Sequence, residues 1–115
     1  MLGAMTTCQF CNVTHRSSVP TVHSNGTCAL DLLQGLNASL DALRVAQRRM
    51  TEAAPNGRDY YLQGNQAMER AMGEHERRWT DLNRIMTELE EMRDHVQAVL
   101  DFQRQQRAQR NQEAR

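Results

Sequence analysis

The residues of this chain best suited to chemistry gather near its start. Cys8 and Cys11 stand as C-x2-C, and His23 and Cys28 follow as H-x4-C. They comprise all 3 cysteines and one of the 4 histidines. Thiolates and a neutral imidazole are ligand types that zinc accepts in a tetrahedron, and four protein ligands leave no position for water. The chemistry expected of Cys8, Cys11, His23 and Cys28 is therefore a closed, structural Zn2+ site. The short gap in the first pair lets both thiolates face one ion from a tight turn, and the polar stretch 12–22 is long enough to bring the second pair back. His15, just beyond Cys11, is the alternative to His23 or a hydrogen-bonding neighbour of the ligand shell. One disulfide with a leftover thiol is the competing use of three cysteines, but this spacing fits metal in a reducing compartment better.

Nothing else in the sequence rivals this cluster. There is no phosphate-binding glycine loop, zinc-protease motif or nucleophile elbow, so an enzyme is not expected. His75 and His95 read as solvated or partly buried helix residues. Glu88, Glu90, Glu91 and Asp94 read as an ordinary acidic helix surface. Trp79 either caps an apolar seam or anchors a partner.

Elements must position the ligands, and the pattern supplies long helices. Residues 1–28 are rich in Ser, Thr, Asn and Gly and carry too few apolar groups to offset their ordering entropy by burial alone; bound metal would change that balance. From residue 29 to 54, Leu33, Leu36, Leu40, Leu43 and Met50 recur in steps of three and four, interrupted by Gln47, with Thr27 as a candidate cap. Gly35 would permit close approach of another backbone. Ala54-Pro55-Asn56-Gly57 is a stop signal, placing a turn at 55–57. A second helical region is expected over 58–110, weak at first around Gly64 and Gly73, then sharper through Leu82, Ile85, Leu89, Met92, Val96 and Val99, with a flexible tail at 111–115.

Such a second helix would be roughly 75 Å long, and the first about half that. A hairpin closed at 55–57 would cover only the first half of the longer helix and leave Leu82 to Leu100 in water. Burying one such leucine is worth about 1.5–3 kcal/mol. The expectation is therefore a second chain: a homodimer, or a homotetramer built as a four-helix assembly of hairpins. Leu33, Leu36, Leu40, Leu43, Leu82, Ile85, Leu89, Met92, Val96 and Val99 form the expected oligomerisation seam. The fold class is mainly α, with a small N-terminal zinc-binding head and a helical hairpin or coiled-coil stem.

Charge bounds the partners. The chain balances 14 basic against 14 acidic residues over 115 positions, so no global field draws it to nucleic acid. Every basic residue is arginine, which favours bidentate contacts to phosphate or carboxylate, although a G+C-rich gene gives the same bias. Arg16 beside the head, Arg44, Arg48 and Arg49 on the first helix, and Arg104, Arg107 and Arg110 near the end are the candidate nucleic-acid contacts. No apolar segment suits a membrane span or a signal peptide. Asn12-Val13-Thr14, Asn25-Gly26-Thr27 and Asn37-Ala38-Ser39 match a glycosylation pattern but are read as accidental. A cytoplasmic or nuclear location is expected.

His23-x4-Cys28 has the closing spacing of a retroviral-type zinc knuckle, whose middle segment is much shorter. In whole-chain layout, with Cys8, Cys11, His23 and Cys28 ahead of a helical stem, the protein resembles small viral cysteine-rich accessory proteins. Several plant-virus members of that group join a zinc head to a helical dimerisation segment and suppress RNA silencing. The resemblance implies homodimerisation and a host or viral protein partner, or RNA. The expected function is a homo-oligomeric, zinc-stabilised interaction or regulatory accessory protein; the alternative is an RNA-binding silencing suppressor using arginine patches on a dimer.

Overall fold

The structure is a computed structural model that describes residues 6–7 and 14–15 as backbone and residues 17–114 in full. It is mainly helical. Two short strands, β1 (Thr6–Thr7) and β2 (Thr14–His15), precede helices α1 (Ala29–Glu52), α2 (Gly57–Tyr60) and α3 (Asn65–Glu113), with a 3-10 turn over Tyr61–Gln63. β1 and β2 pair antiparallel, Thr6 opposite His15 and Thr7 opposite Thr14. No helix among the described residues is long and apolar enough to cross a membrane.

Local chemistry explains where the helices begin and end. The Leu32 amide donates to the Cys28 carbonyl at 3.1 Å, so Cys28, rather than Thr27, stands in the N-cap position, where the carbonyl accepts the first helical bond. At the far end of α1 the Ala53 amide is shared between the Arg49 and Met50 carbonyls at 3.1 and 3.2 Å. This tightening is typical of a last turn, and Pro55 bars continuation. Asn56 then starts α2: its Oδ1 accepts from the Asp59 amide at 3.2 Å, and its Nδ2 donates to Asp59 Oδ2 at 2.9 Å. Gly64 sits at φ +99° and ψ 165°, a region essentially reserved for glycine. Its carbonyl accepts from the Ala67 amide at 3.2 Å and so launches α3. With 49 residues, α3 is about 74 Å long.

The chain divides into two compact units, Met1–Ser39 with Glu88–Arg115, and Leu40–Thr87. In the first unit Ala29, Leu33, Val96 and Leu100 form one buried cluster, against which Val22, Leu32 and Leu36 pack. Val96 is completely buried. In the second unit Leu40 is completely buried, and Ala67, Ala71 and Met86 are also inside. There Thr51, near the end of α1, shares one groove with His75, Trp79 and Thr80 of α3.

This pairing corrects the length argument made from the sequence. A tight hairpin would have matched α1 to the first half of α3 and left the distal seam to another chain. Instead residues 53–64 are spent on α2 and the 3-10 turn, and the start of α1 meets α3 near its far end. Ala29 and Leu33 therefore bury Val96 and Leu100 within the chain. Gly35 differs from expectation too. A Cβ there would meet nothing within 4 Å; the residue is exposed, and no described backbone beyond its own helix uses the space its missing side chain leaves.

Candidate metal centre

The ligands proposed from the sequence fall on two pieces of structure. Residues 8–13, which carry Cys8 and Cys11, link β1 to β2, whose backbones are paired. Cys8, Cys11 and Arg16 themselves lie outside the described residues, as does the side chain of His15. His23 and Cys28 lie on the segment that leads into α1, and both are exposed. The Gly26 amide donates to the His23 carbonyl at 3.1 Å, closing a turn that carries His23 toward Cys28. Cys28 is a free thiol.

Gly26 fits this turn for a steric reason. A Cβ at Gly26 would stand 2.9 Å from His23 Nε2 and 3.3 Å from the two ring carbons beside it. The imidazole therefore points its Nε2 end at the bare Cα, and any side chain would push the ring aside. Neither the His23 ring nor the Cys28 thiol has a hydrogen-bond partner among the described residues. Both are ligand types that zinc accepts, and neither is committed to another described group. Among the described residues no three His, Cys, Asp or Glu side chains converge; the other two members of the expected set lie outside them.

What holds this segment in place was not legible beforehand. His95, read from the sequence as a solvated or partly buried helix residue, is only 5% exposed. Its Nε2 lies 2.9 Å from the Pro20 carbonyl, across 75 positions of sequence. A carbonyl can only accept, so Nε2 carries the proton and donates. Val22 packs on the cluster of Ala29, Leu33, Val96 and Leu100, giving the segment a second anchor. A lone histidine on a helix carries no periodic signal that separates a tether from a surface residue. Nearby, Ser17 Oγ and Glu91 Oε2 are buried without a hydrogen-bond partner.

The expected oligomerisation residues divide. Leu33, Leu40, Val96 and Val99 are buried within the chain, and Leu36, Leu43, Leu82, Leu89 and Met92 are half-buried. Ile85 remains 41% exposed. Trp79, 39% exposed, lines an open groove of about 430 Å³ with Thr51, His75, Glu76 and Thr80.

The arginines divide as well. Arg44 pairs with Asp41 at 3.2 Å and Arg49 with Glu52 at 2.9 Å. These are exposed pairs one helical turn apart, each worth a few tenths of a kcal/mol, roughly 0.3–0.5. Arg48 has no acidic partner among the described residues. Neither do Arg104, Arg107 and Arg110, which stand on the fully exposed end of α3.

No family model, curated protein or solved structure matches this chain. Its function rests on its own residues.

Proposed function

We propose that this chain is a zinc-stapled, homo-oligomeric interaction protein of the regulatory or accessory kind. The observation that carries the reading is the pair His23 and Cys28, both exposed and uncommitted on a hydrogen-bonded turn at the foot of α1, following a C-x2-C that links two paired strands. Zinc held by Cys8, Cys11, His23 and Cys28 would staple the β1–β2 link to the base of α1. Bound there, the metal supplies rigidity rather than a reactive water, because four protein ligands close its shell. The residues around it turn and tether the ligand segment.

Recognition is then the task of the helical surface. Trp79 offers an exposed aromatic beside an open groove, and aromatic anchors in grooves dominate many protein interfaces. Self-association through the flank of α3 that bears Ile85 accompanies it. Within the group of small viral cysteine-rich proteins that the layout resembles, such a molecule would act by capturing a host or viral protein.

Native mass spectrometry tests the reading. Wild-type protein should carry one zinc per chain, two chains together, and Cys11→Ser should lose the metal while keeping most of its helical circular dichroism. A metal-free wild type, or a Cys11→Ser protein with full zinc, rejects the site.

RNA binding is the second reading, favoured by the unpaired Arg104, Arg107 and Arg110 on an exposed helix end. It predicts an affinity that falls steeply with salt, whereas capture of a protein through Trp79 is salt-tolerant.

A further inference from the structure

We infer that His95 is the positioning residue of the metal site: its hydrogen bond to Pro20 presets the segment bearing His23 and Cys28, so that metal binding and the docking of this segment on α3 strengthen each other. The inference rests on the metal-site reading above and adds a residue far from the ligands in sequence.

The geometry is specific. Between Ser17 and Cys28 the chain has no helix or strand to fix it. It is held to α3 by the His95–Pro20 bond of 2.9 Å and by Val22 on the cluster around Val96. The ligand turn begins immediately after these anchors, and the Gly26–His23 bond and the Cys28–Leu32 bond carry the constraint through to the start of α1. Few backbone torsions between Val22 and Cys28 therefore remain for the metal to freeze. Each residue left to be ordered by the ligand would cost about 1–2 kcal/mol of backbone entropy. A preset segment spares the metal that cost, and linkage requires the reverse as well: bound metal must stabilise the anchors by the same factor.

His95 suits the role because it is buried while its ring nitrogen reaches the Pro20 carbonyl. An intramolecular hydrogen bond contributes about 0.5–1.5 kcal/mol net, so its removal should weaken metal binding by a factor of roughly three to ten.

The experiment measures Zn2+ affinity by chelator competition, and the Co2+ absorption spectrum, in four full-length proteins: wild type, His95→Leu, His95→Gln and Val22→Ala. His95→Leu keeps a buried apolar side chain and removes the donor. His95→Gln restores an N–H of similar reach. The expected result is a three- to tenfold loss in His95→Leu, substantial recovery in His95→Gln, and unaltered Co2+ bands, since the ligands are unchanged. Val22→Ala should weaken binding through the second anchor while leaving every residue of α3 unchanged, which keeps the test decisive should His95→Leu fail to fold. Equal affinities in all the variants overturn the inference and leave the metal site standing. A His95→Gln protein as weak as His95→Leu also overturns it, since the donor would then not matter. A wild type that takes up neither metal removes the site itself, and this inference with it.

Discussion

At the residue scale, the informative positions are those where one atom more or less changes the outcome. Gly26 is such a position, because its missing side chain is where the His23 ring lies. In Gly26→Ala the exposed ring would swing away at little energetic cost to the fold. We expect the melting temperature of the metal-free protein to change by less than about 2 °C, while Zn2+ affinity falls measurably. Unchanged affinity would point to His15 as the third-position ligand. The sequence placed ligand-type residues at suitable spacing, since that depends only on residue type and separation along the chain. It said nothing of Gly26 beneath the ring or of His95 beneath Pro20, because both depend on contacts that the helical period does not encode.

At the element scale, α1 and α3 were legible because apolar residues at steps of three and four mark a buried face. What that face meets was not legible. The period of Leu33, Leu36, Leu40 and Leu43 is satisfied equally by another chain or by either half of α3; in the structure Ala29 and Leu33 cluster with Val96 and Leu100. Residues 54–57 read as a stop and 58 onward as helix, but Asn56 and Gly64 build a longer connection than the turn at 55–57 alone would make. Gln47 interrupts the α1 seam, and its Nε2 is buried without a hydrogen-bond partner. Such an orphan costs about 1–3 kcal/mol, so Gln47→Leu should raise the melting temperature by several degrees in a thermal melt. A lower value would mean that the amide has a partner. By contrast, Leu40→Ala, at a completely buried site, should lose about 2–5 kcal/mol in urea titration. Leu62→Ala, on a side chain 84% exposed, serves as the control and should change stability by less than about 0.5 kcal/mol.

At the scale of the whole molecule, each unit has its own buried side chains, so assembly need not be what makes the chain fold. Self-association becomes a separable property, and Ile85 is where it should be tested. Ile85→Glu adds a charge on an exposed side chain; it should convert a dimer to a monomer in sedimentation while leaving the helical signal unchanged. A dimer that persists would move the interface elsewhere on the chain. The neutral balance of 14 basic and 14 acidic residues bears on the choice of partner, since steering to a polyanion would depend on the local arginines at the end of α3 alone.

The bond between Pro20 and His95 also sets an order in time. The ligand-bearing residues leave the ribosome before their anchor, since His95 follows Pro20 by 75 positions. During synthesis the head must exist for most of its emergence without the contact that positions it, and any metal captured then is held by the ligands alone. Maturation of the metal centre would therefore be a late event, reporting that the distal part of α3 has been made and has docked. A nascent chain stalled before His95 should hold its metal several-fold more weakly than the finished chain.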